Sequence, residues 1–170
     1  MSLVRGLVAL ALVSVALVLQ VTLFPHLAWA GIVPNLVLLI VVAAALARGA
    51  QFAAMLGFGA GLLLDLAPPA DHVAGRWALA LVLVGYLAGR VRQDVRPSVT
   101  SVIAMVAGSS FVGTSIYALS GVLLRDPSIG FGEFAQVISI SVLYDILLTP
   151  LVMPWLIGLF WRMEPDRALA

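Results

Sequence analysis

The sequence predicts an all-α integral membrane protein, six transmembrane helices packed as one compact bundle. Three observations carry the prediction. Of 170 residues, 63% are hydrophobic and 10% charged, against about 45–50% and about 25% in a typical soluble domain. Mean hydropathy is +1.16. The apolar residues also gather into long runs with few charges, separated by short polar breaks. Nine basic and eight acidic residues cannot cover a soluble globule of this length, so soluble enzyme, nucleic-acid module and disordered regulator are excluded first.

A bilayer core is about 30 Å thick and takes about 20 apolar residues as helix. Gly6 to Phe24 carries no charge and supplies span 1. Ile32 to Leu66 is 35 residues, or about 52 Å of helix. That is too long for one crossing and suits two short ones, 32–47 and 51–66, broken at Arg48-Gly49-Ala50-Gln51. Val73–Gly89 is span 4 and Val99–Leu124 is span 5. Phe134–Trp161 contains Asp145, Pro150 and Pro154 and is too short for two crossings with a turn. It reads as one span kinked near Pro150, because proline lacks a backbone donor and clashes with the preceding turn. Residues 1–170 therefore form a single transmembrane domain.

The net charge of +1 points to no nucleic-acid or acidic partner. With no cysteine, disulfides, thiolate metal sites and cysteine nucleophiles are excluded. Six spans place Arg5, Arg48, Arg90, Arg92, Arg96, Arg162 and Arg167 on one side, and Arg76 and Arg125 on the other. The positive-inside rule then sets both termini in the cytoplasm. Trp29 and Trp77 fall toward the outer interface, Trp155 and Trp161 toward the inner one. Residues 1–30, ending in Ala28-Trp29-Ala30, also mimic a secretory signal, but the apolar run exceeds the usual core of about 7–15 residues.

Span 3 carries Gly49, Ala53, Gly57, Gly61 and Asp65 at fourfold spacing, near one helix face. Small residues let another backbone approach closely in lipid. The face either packs within the bundle or receives a partner's helix. Asp65 ends the stripe and Arg76 starts span 4 on the same side. They form either an ion pair across Ala67-Pro68-Pro69-Ala70 or two solvated interfacial charges.

Asp145 lies about 16 Å along span 6. A carboxylate at depth costs about 2.5–3.5 kcal/mol on insertion scales, so it must face the bundle or a partner. Ser109, Ser110, Thr114, Ser115 or Tyr86 are its candidate donors. It serves either a proton or substrate relay or a structural hydrogen bond. Pro34-Asn35 suits a helix start, with Asn35 as cap. His26 and His72 lack partners at metal spacing. No Ser–His pair sits at depth, Gly108-Ser109-Ser110-Phe111-Val112-Gly113 is not a nucleophile elbow, and no phosphate loop occurs. The expectation is a protein that is not an enzyme.

Four groups of residues resemble the MreD family, the bacterial rod-shape-determining membrane proteins. They are Pro34-Asn35-Leu36, the run from Gly57 through Asp65 to Leu66, Gly75 with Gly85-Tyr86-Leu87-Ala88-Gly89-Arg90, and Tyr144-Asp145 followed by Pro150. They follow one another in the family's order over nearly the whole chain. The turn after Asp65 departs from that family's Ser- or Gly-rich form. The resemblance implies a bacterial plasma-membrane protein and a fold similar to the substrate-binding subunit of energy-coupling-factor transporters. It implies no catalysis and no cofactor. It also implies a partner, MreC, with one membrane helix, and a cell-elongation machinery containing a peptidoglycan glycosyltransferase and a transpeptidase.

Two functions follow. One is a non-enzymatic scaffold whose span-3 stripe docks a partner's membrane helix. The other is a small-molecule-binding transport subunit, with a polar cavity lined by Asn35, Asp65 and Arg76. Pro34, Asn35, Gly57, Gly61, Asp65, Gly75, Arg76, Tyr144, Asp145 and Pro150 are the expected interface or structural residues.

Overall fold

A computed structural model describes residues 3–29, 31–68, 73–92, 97–124 and 134–163, without the side chains of residues 3–5. The Arg5 side chain, Ala30, Pro69, Ala70, His72, Arg96, Arg125 and Arg167 lie outside the described residues. Among the described residues six α-helices follow in order: α1 (Leu3–Thr22), α2 (Leu36–Arg48), α3 (Ala50–Leu66), α4 (Arg76–Val91), α5 (Val99–Leu123) and α6 (Phe134–Arg162). A short 3-10 turn, Phe24–Leu27, follows α1. No strand occurs among the described residues. Two of the helices, α5 and α6, are long and apolar enough to cross a membrane.

Each boundary has a local cause. The 35-residue apolar run divides at Gly49, whose φ of 85° closes α2 and opens α3. Only glycine adopts that conformation without steric cost. Helix α2 begins at Leu36, four residues later than the hydropathy run suggests. Pro34 biases Val33 away from helix, and the preceding chain turns through paired backbone bonds between Trp29 and Ile32. Gly75, at φ 102°, starts α4 at Arg76 rather than at residue 73. Helix α6 runs unbroken through Pro150 and Pro154.

Helix α2 is the centre of the bundle. Every residue from Leu36 to Ala47 is buried, and α2 touches all five other helices. A helix that is apolar all round belongs in an interior. Its 13 residues make only about 20 Å. The outer faces of the bundle are greasy too. Leu7, Val15, Phe58, Leu83, Phe111, Leu147 and Leu151 are all exposed, which inverts the water-soluble pattern.

The tightest pairing is α3 against α4. A Cβ added at Gly57 would strike the Leu81 carbonyl, and one at Gly61 would strike the Ala78 backbone. In return, one at Gly85 would strike the Ala53 carbonyl, and one at Gly89 the Ala50 backbone. The pairs advance in opposite directions, so the helices are antiparallel and their backbones touch. Dispersion between close backbones is what lipid-embedded helices gain from small residues. The stripe on α3 is therefore filled by α4 of the same chain. The expectation that Gly57 and Gly61 receive a partner's helix is corrected: both are buried, and no second helix fits there.

Candidate functional site

Two buried carboxylates stand at the starts of two helices. A helix start leaves its first backbone N–H groups without intrahelical partners. In a bilayer core no water can take them, so protein groups must.

Asp145 serves α2. Its Oδ1 accepts from the Asn35 backbone N–H at 2.9 Å, and its Oδ2 accepts from the Ser110 hydroxyl at 2.6 Å. Asn35 caps the same helix as expected, its Oδ1 accepting from the Leu38 N–H at 3.0 Å. Gln20 Oε1 accepts from the Val37 N–H at 3.4 Å. The first turn of α2 is thus supplied from α1, α6 and its own cap. Asn35 Nδ2 is buried with no partner among the described residues.

Of the candidate donors to Asp145, Ser110 makes the contact and Tyr86 does not. Tyr86 is exposed and lies under the Arg90 guanidinium, 5.6 Å from ring centroid to cation. Thr149 donates its hydroxyl to the Asp145 carbonyl at 2.7 Å. Tyr144 sends its hydroxyl to the Leu27 carbonyl at 2.7 Å, so this stretch of α6 lies beside the chain that links α1 to α2. Pro34 is buried next to the cap, whereas Pro150 is exposed.

Asp65 serves α4. Its Oδ2 accepts from the N–H groups of Gly75 and Ala78, 2.9 and 3.0 Å away. Its Oδ1 accepts from the Trp77 N–H at 3.0 Å. The carboxylate thereby closes the α3–α4 connection and complements the positive end of α4.

Arg76 turns to α5. Its guanidinium donates to the Tyr117 carbonyl at 2.9 Å and to the Ser120 hydroxyl at 3.3 Å. It also lies over the Tyr117 ring at 4.0 Å, and Trp77 stacks on that ring at 4.5 Å. Asp65 and Arg76 are 1% and 2% exposed. That overturns the reading of two solvated interfacial charges. Asn35 and Asp65 cap different helices, and Arg76 bonds α5.

Several residues at these places carry no obvious sequence signal. A Cβ at Gly121 would strike the Arg76 guanidinium, yet Gly121 is an ordinary glycine in an apolar run. Tyr117 and Ser120 are equally anonymous. Gly85 and Gly89 did carry a signal, since their fourfold spacing matches that of the α3 stripe.

At the opposite end, arginines meet helix C-termini. Arg48 donates to the Met163 carbonyl beyond α6 at 3.0 Å and lies over Phe52 at 5.1 Å. Arg92 donates to the Leu46 carbonyl near the end of α2 at 3.3 Å. Cations suit the negative ends of helices.

The buried polar groups hold helices to one another, and no cluster of metal-ligating side chains occurs among the described residues. The family described as rod shape-determining protein MreD matches residues 1–163. No curated relative and no solved structure matches the chain. The match spans nearly the entire sequence and includes all six helices, so this chain belongs to the MreD family.

Proposed function

We propose that this protein is a non-enzymatic scaffold of the bacterial cell-elongation machinery. It binds MreC and, through it, positions or regulates a peptidoglycan glycosyltransferase and a transpeptidase. The chain crosses the plasma membrane six times, with both termini in the cytoplasm, in a bundle similar to the substrate-binding subunit of energy-coupling-factor transporters.

The observation that carries this reading is the family match over residues 1–163. The side-chain chemistry supports it. The oxygens of Asp65 and Asp145 are engaged by backbone N–H groups and one serine hydroxyl. Carboxylates engaged in this way hold helices and are poorly placed to transfer protons. MreC then docks on a face other than the α3 stripe, which α4 covers.

Affinity purification from a native membrane in mild detergent tests the proposal. MreC is expected in near-stoichiometric amount, with synthases at lower yield. Its consistent absence, from a protein that still melts cooperatively, overturns the scaffold reading.

A further inference from the structure

A groove of about 420 Å³ runs between α4 and α5, within the range of about 300–1,000 Å³ common for ligand clefts. Val84, Leu87, Met105 and Val112 wall it, and Leu46 of α2 also lines it. Arg92 lines the groove where α4 ends. One guanidinium N–H reaches the Leu46 carbonyl at 3.3 Å. The other four of its five donors make no hydrogen bond to a described residue. The site therefore joins an apolar slot to a cation that lacks a counter-charge among the described residues.

We propose that this groove holds one anionic phospholipid, with an acyl chain along the apolar wall and the phosphate on Arg92. Charge complementarity selects the occupant. A guanidinium presents parallel N–H groups that match phosphate oxygens, and basic pockets between membrane helices hold anionic headgroups. Gly108 also lines the slot, and a Cβ added there meets no atom within 4 Å. A larger side chain at that position enters the groove without disturbing the bundle.

The test uses the purified full chain in detergent, without MreC, so its outcome is independent of the scaffold reading. Native mass spectrometry follows titration with phosphatidylglycerol and, separately, phosphatidylcholine. Phosphatidylglycerol is expected to bind about fivefold tighter, the effect of one arginine near a membrane surface. Arg92→Gln removes that preference. Gly108→Leu weakens both lipids. Arg90→Gln, whose guanidinium lies over Tyr86, changes neither. Equal affinities in the unmodified chain overturn the proposal, as does a preference that survives Arg92→Gln. Full binding by the Gly108→Leu variant also overturns it, because the headgroup alone would then be held.

Discussion

Gly121 vacates the space that the Arg76 guanidinium fills. The arginine starts α4, the glycine sits near the end of α5, and the guanidinium joins the two through Tyr117 and Ser120. Gly121→Ala should displace the cation and break these bonds, costing about 1–3 kcal/mol. A thermal melt in detergent reads this directly. Arg76→Lys should not restore stability, because an ammonium cannot reproduce the planar fork over Tyr117. A midpoint unchanged in Gly121→Ala would refute the packing argument.

Glycines on α3 should divide sharply by position. Gly57→Leu and Gly61→Leu drive side chains into the α4 backbone and should lower both folded yield and melting midpoint, by about 3 kcal/mol or more. Gly59→Leu should fold normally, since a Cβ there meets nothing within 4 Å. Equal tolerance at all three would mean that α3 and α4 do not touch as described.

Asp145→Leu should leave the Ser110 hydroxyl and the Asn35 N–H without acceptors inside the bundle. Each orphaned group costs about 1–3 kcal/mol. Asp145→Asn keeps one acceptor oxygen and should cost distinctly less. The order of the two midpoints is the measurement. If Leu is tolerated as well as Asn, the start of α2 is not held by this carboxylate.

Asp65→Ala should release three N–H groups at Gly75, Trp77 and Ala78. Loss of a helix-start acceptor costs about 0.5–2 kcal/mol in ordinary caps, and more when the acceptor is charged and buried. Hydrogen exchange should accelerate over residues 75–78 before it changes in α2. Uniform exchange across both helices would show that Asp65 is not a local fastener.

Single cysteines placed at residues 2 and 168 should resist an impermeant thiol reagent in intact cells and react after lysis. Labelling of either from outside would reverse the proposed orientation.

Much of this architecture is legible in hydropathy, and the reason is physical. Apolar runs show directly which segments avoid water, and the break read at Arg48–Gln51 coincides with the positive φ of Gly49, whereas the positive φ of Gly75 starts α4 three residues after the apolar run begins. Asn35 is legible as a cap because capping is local. The occupant of the α3 stripe is not legible, since fourfold spacing says that a face is small but not which helix lies on it. Ser110 is legible as a donor to Asp145, but the link from Asp145 to the start of α2 is not. One of its donors is a backbone N–H distant in sequence, and every non-proline residue carries that donor. Arg76 looked interfacial because its partners, Tyr117 and Ser120, lie on a helix that hydropathy reads as a uniform apolar run.

The central position of α2 bears on how the chain is assembled at the ribosome. This short rod is synthesised before four of the five helices that enclose it. Until α4, α5 and α6 arrive, it has only α1 and α3 to shelter it, and it is too brief to bridge the hydrocarbon unaided. Nascent chains stalled at residue 92 should therefore crosslink from α2 to the insertion machinery, whereas released full-length chains should not.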